Sequence, residues 1–224
     1  MEVDGVLFVA HELKAPLAVL RQLALALDER DSGNERIRAE MISVSERAIK
    51  QVNDLARIKR LNDGLFEMEP VAVRAVCDDV ASELGRLYSF NEREFLLRYR
   101  NRSRLVHANR ELLYSVLYNF MLNAMHYSKK KTKTELTVND NKGRVKISVR
   151  DYGPELPIGI WRKIKSGKID GPTPIAMRPG SSGLGLYIAS TFSHYMNATM
   201  GAIRHRDGTS FYIEMPVSKQ ASLF

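Results

Sequence analysis

The hydrophobic pattern at the start of the chain is helical. From Val3 to about Asp28 apolar residues recur at three and four spacing, as Val6, Leu13, Leu17, Leu20, Ala24 and Leu27. Ser32, Gly33 and Asn34 then break the period as a turn. A second helix is predicted from about Glu35 to Leu61, with Ile37, Met41, Val44, Ala48, Val52, Leu55 and Ile58 as its stripe. Two such helices joined by a short turn form an antiparallel hairpin. Two facing stripes still leave apolar edges in water, and pairing two hairpins into a four-helix bundle buries them. A homodimer through the hairpin is therefore expected. "LNDGLFEMEP", with Gly64 and Pro70, interrupts the helical period and marks a boundary between residues 1–64 and 65–224.

Beyond it the pattern is mixed. A short strand near Leu65 to Val71 precedes a helix from about Arg74 to Ser89 and a strand "EFLLRYR". A helix from Asn109 to Tyr127 leads into alternating strands "TELTV" and "RVKISVRD". Residues from about 152 to 182, rich in proline and glycine, read as irregular. A helix "GLGLYIASTFSHYM" and strands "MGAIRHR" and "SFYIEMP" around a "DGT" turn close the chain. The second domain reads as an α+β sandwich, one mixed sheet with helices on a single face. There is no internal repeat or low-complexity segment.

Composition narrows the class. The hydrophobic share of 44% and charged share of 27% are ordinary for a soluble globular protein. The lone cysteine, Cys77, excludes a disulfide framework and a cysteine metal site, and reads as a small buried apolar residue. No apolar stretch of ~18 residues spans a membrane, and no signal peptide opens the chain. A soluble, cytoplasmic chain is expected, or the cytoplasmic part of a membrane-anchored sensor, with no membrane contact from this segment itself. The net charge of +8 suits nucleic acid, an anionic surface or a phosphate-bearing ligand. Its only tight run is Lys129, Lys130 and Lys131, with Lys133 just after, which reads as a solvated loop. Aromatic–basic interleaving is missing, so a nucleic-acid partner is not expected.

Against this background four stretches carry candidate chemistry. His11 and Glu12 are adjacent, and a neighbouring carboxylate can take the imidazole proton and make the other ring nitrogen a nucleophile. Alone they could equally be a surface pair. Pro16, one turn on, opposes the carbonyl of Glu12 and predicts a bend beside the histidine. Asn119 and Asn123 share a helix face, with Leu117, Phe120, Met121 and Ala124 opposite and Tyr127 extending the asparagine face. Their carboxamide oxygens suit a hydrated Mg²⁺. Asp151 at a strand end, followed by Gly153, can accept a hydrogen bond from an adenine amino group, or can simply form a turn. Gly180, Gly183 and Gly185 open a helix whose N–H groups and dipole favour an anion, and Leu184 and Leu186 anchor that loop to the core. Gly208 and Thr209 lie in the last hairpin.

The order and spacing of these stretches closely resemble the cytoplasmic core of sensor histidine kinases of two-component systems. "HELKAPL" is similar to the phosphoacceptor box, "NFMLNAMHYS" to the N box, and "DYGP", "GSSGLGL" and "GTSF" to the three glycine boxes. The resemblance covers essentially the whole chain. It implies a dimeric histidine hairpin followed by an ATP-binding domain of the type shared with gyrase and the Hsp90 chaperones. It also implies ATP and Mg²⁺ as cofactors, with Asp151 on adenine, Asn123 on the metal and Asn119 nearby. His126, Tyr127, Gly153, Gly180, Gly183, Leu184, Gly185 and Thr209 complete the implied nucleotide site. The γ-phosphoryl group would pass to His11 with Glu12 as base, and then to an aspartate of a response regulator receiver domain docked near His11. The bend at Pro16 would let the helices rearrange.

The chain departs from the family pattern in places. Ala15 stands where many relatives carry threonine or asparagine, and alanine cannot orient a water, so weak phosphatase activity is expected. His126 replaces the N-box lysine, with less positive charge for phosphates. Glu155 replaces a glycine and adds negative charge beside the nucleotide. "IWRKIKSGK" stands in for the usual lid phenylalanines, with Trp161 filling part of that role. Lys163, Lys165 and Arg178 either reach phosphates or stay solvated. These departures support a rival reading, a degenerate kinase acting as a dimeric scaffold or regulatory partner.

Overall fold

The computed structural model describes residues 16–25, 27, 34–100, 105–129, 132–141, 143–169, 171 and 183–218. Contacts divide the chain into two units, Met1–Arg60 and Leu61–Phe224, ahead of the 64/65 boundary drawn from the sequence.

The first unit contains α1 (residues 16–25) and α2 (Asn34–Lys59). Within α2 the stripe is where periodicity puts it: Val44 and Ala48 are buried, and Ile37, Met41, Val52, Leu55 and Ile58 half-buried. Arg57 and Lys59 in the last turn complement the negative end of the helix dipole. Asp54 is buried, and its carboxylate accepts a hydrogen bond from Arg57 Nη1 at 3.1 Å. A second apolar row of α2 is not covered: Ile42 and Ile49, seven residues apart, are 58% and 61% exposed; in α1, Leu17 and Ala24, placed in the stripe by periodicity, are exposed too, as is Leu25 at 74%. Pro16 is the first described helical residue, so the bend expected beside it lies outside the described residues.

The second unit runs β1 (Glu69–Ala72), α3 (Val73–Phe90), β2 (Glu94–Tyr99), β3 (Leu105–Ala108), α4 (Arg110–Tyr127), β4 (Lys133–Asn141) and β5 (Arg144–Arg150). α5 (Ile158–Lys165), α6 (Leu184–Tyr195), β6 (Thr199–His205) and β7 (Gly208–Pro216) follow. Five strands form one mixed sheet in the order β2-β4-β5-β7-β6, with only the β2–β4 pair parallel. Strict alternation in β5 sends Val145, Ile147 and Val149 to the buried face, in register with Met215, Ile213 and Phe211 of β7. There Phe211 stacks on Phe120 of α4, with centroids 5.8 Å apart, and Tyr88 of α3 meets Phe95 of β2 edge-on at 4.9 Å.

The sequence expectations need correcting in four places. The strand placed at 65–71 sits later, as β1, and pairs with β3 in a separate two-stranded sheet that periodicity did not reveal. β3 has four residues, too few for a two-residue alternation to register. The stretch read as irregular contains α5, a short basic helix with one fully buried residue, Ile164. Finally, α4 is not half-buried: between Leu112 and Met125 every residue except Tyr114 and Asn123 is buried. Its start is set by Asn109, whose side-chain Oδ1 accepts the Leu112 N–H at 3.1 Å.

Candidate functional site

β5 delivers Asp151 into the interior, 1% exposed, and three backbone contacts fix it. Its N–H donates to the Thr209 carbonyl at 2.8 Å. In return the Thr209 N–H donates to Asp151 Oδ1 at 3.1 Å, and the Gly153 N–H donates to the same oxygen at 3.0 Å. Two amide donors on one carboxylate oxygen lock its rotamer. Thr209 is fully buried beside it.

Two glycines are required by this clamp. A Cβ on Gly153 would lie 2.7 Å from the Tyr127 carbonyl carbon and closer still to its oxygen. Gly208, at φ 139°, would place a Cβ 2.8 Å from Asp151 Oδ1 and closer still to the Asp151 carbonyl oxygen. Gly153 admits the end of α4. That helix end is clipped to the strand end, for the Lys129 N–H donates to the Tyr152 carbonyl at 3.1 Å and the Tyr152 N–H to Ser128 Oγ at 3.3 Å. Arg93 Nη1 donates to the Ser128 carbonyl.

The other half of the site also rests on α4. Asn119 is buried, with Nδ2 donating to the Ser115 carbonyl at 2.9 Å. Its Oδ1 faces the first turn of α6, where a Cβ on Gly185 would come within 2.9 Å of it. Gly185 thus serves the contact between two helices. Gly183 caps α6 at φ 74°, a left-handed conformation that favours glycine, and Leu184 and Leu186 are buried as expected. One turn beyond Asn119, Asn123 is half-buried; a turn further, Tyr127 is half-buried and His126 exposed. The half-buried Asn123 carboxamide, one turn from the Asn119 contact with α6, offers the kind of oxygen that a hydrated, oxygen-ligated cation takes. His11, Glu12, Ala15, Arg178 and Gly180 lie outside the described residues.

Around this frame the departures from the family pattern find partners. Glu155 is held by Arg204 Nη2 at 2.8 Å, which offsets its charge, and Arg204 Nε donates to the Leu156 carbonyl at 2.7 Å. Trp161 Nε1 donates to the Ala202 carbonyl at 3.0 Å, covering the edge strand β6, with Lys165 4.9 Å above its ring. Burial and the nearby Arg150 push His205 below its ordinary pKa, favouring the neutral ring that shares a 2.9 Å hydrogen bond with Ser210 Oγ. Burial and Glu135 push the Tyr152 hydroxyl up; it donates to Glu135 Oε1 at 3.2 Å.

The structure therefore gathers Asp151, Gly153, Thr209 and the Tyr127 carbonyl at one end of α4, and Asn119, Gly183, Leu184 and Gly185 farther along it. Sequence reasoning missed Ser128, Arg93 and Arg150. Only the serine beside the N-box tyrosine carried any signal.

A model of the histidine kinase-, DNA gyrase B- and HSP90-like ATPase family matches residues 108–219. The chain is 24% identical over 212 residues to the probable sensor histidine kinase TcrY of Mycobacterium tuberculosis, covering 93% of this chain and 44% of that protein. Its fold is similar to the full-length histidine kinase ShkA in complex with AMPPNP, at TM-score 0.65 and 21% identity, covering 98% of this chain and 46% of that one. It is also similar to the histidine kinase ThkA in complex with the response regulator protein TrrA, at TM-score 0.64 and 19% identity, covering 95% and 61%. Among the described residues no helix is long and apolar enough to cross a membrane. With the carboxylate clamp, the glycine-capped helix and the buried helix between them all inside the matched region, the chain belongs to the histidine kinase-, DNA gyrase B- and HSP90-like ATPase family.

Proposed function

We propose that this chain is the kinase core of a sensor histidine kinase, in which residues 65–224 bind ATP and residues 1–64 carry the accepting histidine. The observation that carries the reading is the Asp151 carboxylate. It is buried at the end of β5, held by the Thr209 and Gly153 amides, and its turn packs against the end of the helix that carries Asn119 and Asn123. A fixed carboxylate at a strand end accepts the adenine amino group. The start of α6 at Gly183 offers backbone N–H groups to the phosphates. Asn123 would hold Mg²⁺, with Asn119 steadying the helix contact behind it; when bound, the cation supplies charge neutralisation for the phosphates. His126 and Tyr127 border the same face, and Gly180 belongs to the phosphate loop.

An imidazole nitrogen of His11 attacks the γ-phosphorus, the bond to the β–γ bridging oxygen breaks, and ADP leaves. Glu12 accepts the imidazole proton. The protein's contribution is mainly positioning and charge. The phosphoryl group then passes to an aspartate of a response regulator receiver domain, a partner class supported by the ThkA complex. Ile42, Ile49, Leu17 and Leu25 form the kind of uncovered apolar surface that a second hairpin would bury, which supports a homodimer. The scaffold reading loses one of its supports, because Arg204 pairs with Glu155.

The test is incubation with γ-labelled ATP and Mg²⁺, comparing the chain with its His11→Gln variant. Acid-labile, base-stable label in the first and none in the second is expected. Label surviving in the variant would overturn the assignment of the nucleophile, and no label on a nucleotide-binding dimer would favour the scaffold.

A further inference from the structure

Arg150, the last residue of β5, was no part of the site read from the sequence, yet its side chain, 15% exposed, reaches Asp151 and residues on both segments that flank the clamp. Nη1 donates to the carbonyl oxygen of Asp151 itself. Nη2 binds Asp207 Oδ1 at 2.6 Å, and Asp207 opens the turn that leads through Gly208 to Thr209. The guanidinium lies 4.5 Å from the centroid of the Tyr152 ring, on the other side of Asp151 in sequence. Gly208 makes room for it, since a Cβ there would lie 2.6 Å from Nη1.

We propose that Arg150 is a positioning residue for adenine recognition, stapling the β6–β7 turn to the end of β5 so that Thr209 holds the Asp151 carboxylate in place. The inference rests on the reading that Asp151 accepts the adenine amino group.

The geometry leaves the staple few competitors. Glu135, opposite Arg150 in the β4–β5 register, is engaged by Arg98 Nε at 3.3 Å and by the Tyr152 hydroxyl. His205, opposite Gly208 in the β6–β7 register, is turned to Ser210 Oγ and does not compete for Asp207. A planar fork suits the task because two donors must reach two acceptors on different segments at once while the flat face rests on an aromatic ring. Lysine can supply the charge but not both contacts. The Thr209 amide is one of two donors on Asp151 Oδ1, so loosening Asp207 would weaken one of the two bonds that fix the carboxylate without touching the ligand.

The experiment is calorimetric titration of the full chain with ADP and with IDP, the inosine analogue that lacks the amino group, in Mg²⁺. The wild type is compared with Arg150→Met, Arg150→Lys, Asp207→Asn and Asp151→Asn. Arg150→Met is expected to cut the preference for ADP over IDP by about tenfold, the worth of a positioned charge-assisted hydrogen bond, and to leave IDP binding unchanged. Arg150→Lys should restore part of the preference. Asp207→Asn should lower it, with little further loss when combined with Arg150→Met. Equal weakening of ADP and IDP would reduce Arg150 to general support of the fold and overturn the proposal. An unchanged preference in Arg150→Met alongside its loss in Asp151→Asn would overturn the positioning role alone. An unchanged preference in Asp151→Asn would overturn the adenine reading and this inference with it.

Discussion

Replacing Gly153 by alanine adds one methyl group at a place where backbone stands on the far side. The new Cβ would lie 2.7 Å from the Tyr127 carbonyl carbon and closer still to the oxygen. Neither atom can swing away, since Tyr127 ends α4 and the Lys129 and Tyr152 backbones are hydrogen-bonded across the same junction. Relief requires the Asp151–Gly153 turn to move, which lengthens the Gly153 N–H bond to Asp151 Oδ1. Overpacking of this kind costs about 1–3 kcal/mol, and weakening a hydrogen bond to a charged group costs about 1.5–3 kcal/mol when complete. With partial relaxation a total near 3 kcal/mol is expected, a fall of roughly 6–12 °C in the melting temperature for a unit of this size. Gly201→Ala supplies the contrast. Its Cβ would meet Tyr212, 2.8 Å from Cε1 and closer still to Cζ and Oη, yet all three atoms belong to a side chain that can rotate outward. The loss there is the Lys146 ammonium over the Tyr212 ring at 3.7 Å, about 0.5–1 kcal/mol, against about 0.4–1 kcal/mol gained by stiffening the unfolded chain. Thermal melts of both variants by circular dichroism, with ADP titrations, check the argument. Gly153→Ala should melt early and bind nucleotide weakly, while Gly201→Ala should stay near the wild type. A Gly153→Ala melt within ~2 °C of the wild type, or an equal fall in both, would refute the reasoning, since a shift of ~2 °C corresponds to well under the estimated cost.

Two further outcomes follow from buried groups. Ser193 is 1% exposed, and its Oγ has no hydrogen-bond partner among the described residues, so Ser193→Ala should stabilise the chain by about 1 kcal/mol in urea denaturation. Cys77, fully buried, has its thiol pushed from 9.0 to about 12 by burial and by the nearby Asp78. Folded-state protonation then outlasts the unfolded one, so the stability it contributes is intact below pH 9.0 and is lost as pH rises toward about 12. Between pH 8 and 10.5 the wild type should lose about 2 kcal/mol relative to Cys77→Ala, and equal losses in both would count against the shift.

Much of the framework was legible from the sequence because it repeats along one element. The α2 stripe and the alternation of β5 need only local spacing: β5 buries the residues the spacing selects, and α2 buries two of them and half-buries the rest. β3 was illegible because its reason for existing is β1, more than thirty residues earlier, and four residues cannot announce a partner at that distance. The burial of α4 on nearly all sides was hidden for a related reason: its polar residues face neighbours rather than water. Asn119 turns to Ser115, and the Tyr118 ring stacks on Tyr114 at 6.2 Å. At the site, the motif positions stood out but their jobs did not. Glycine in a sequence says that something comes close, and only the fold says what. For Gly153 it is a carbonyl and for Gly185 a carboxamide of the same helix. Arg150 was invisible because its partners, Asp151 and Asp207, become a single junction only when β5 and β7 pair.

These contacts change what the glycine boxes mean in this chain. The two glycine contacts, at Gly153 and Gly185, converge on α4, one at its last carbonyls and one at its middle. A helix buried along most of its length cannot easily tilt toward one contact without leaving the other, because interiors are packed to the density of solids. The spacing between the Asp151 carboxylate and the start of α6 is therefore set by the helix between them. Small residues at both contacts let that helix come close enough to act as the gauge. A bulky substitution at either glycine should then disturb the opposite end of a bound nucleotide as well as its own, which a local clash with the ligand would not do.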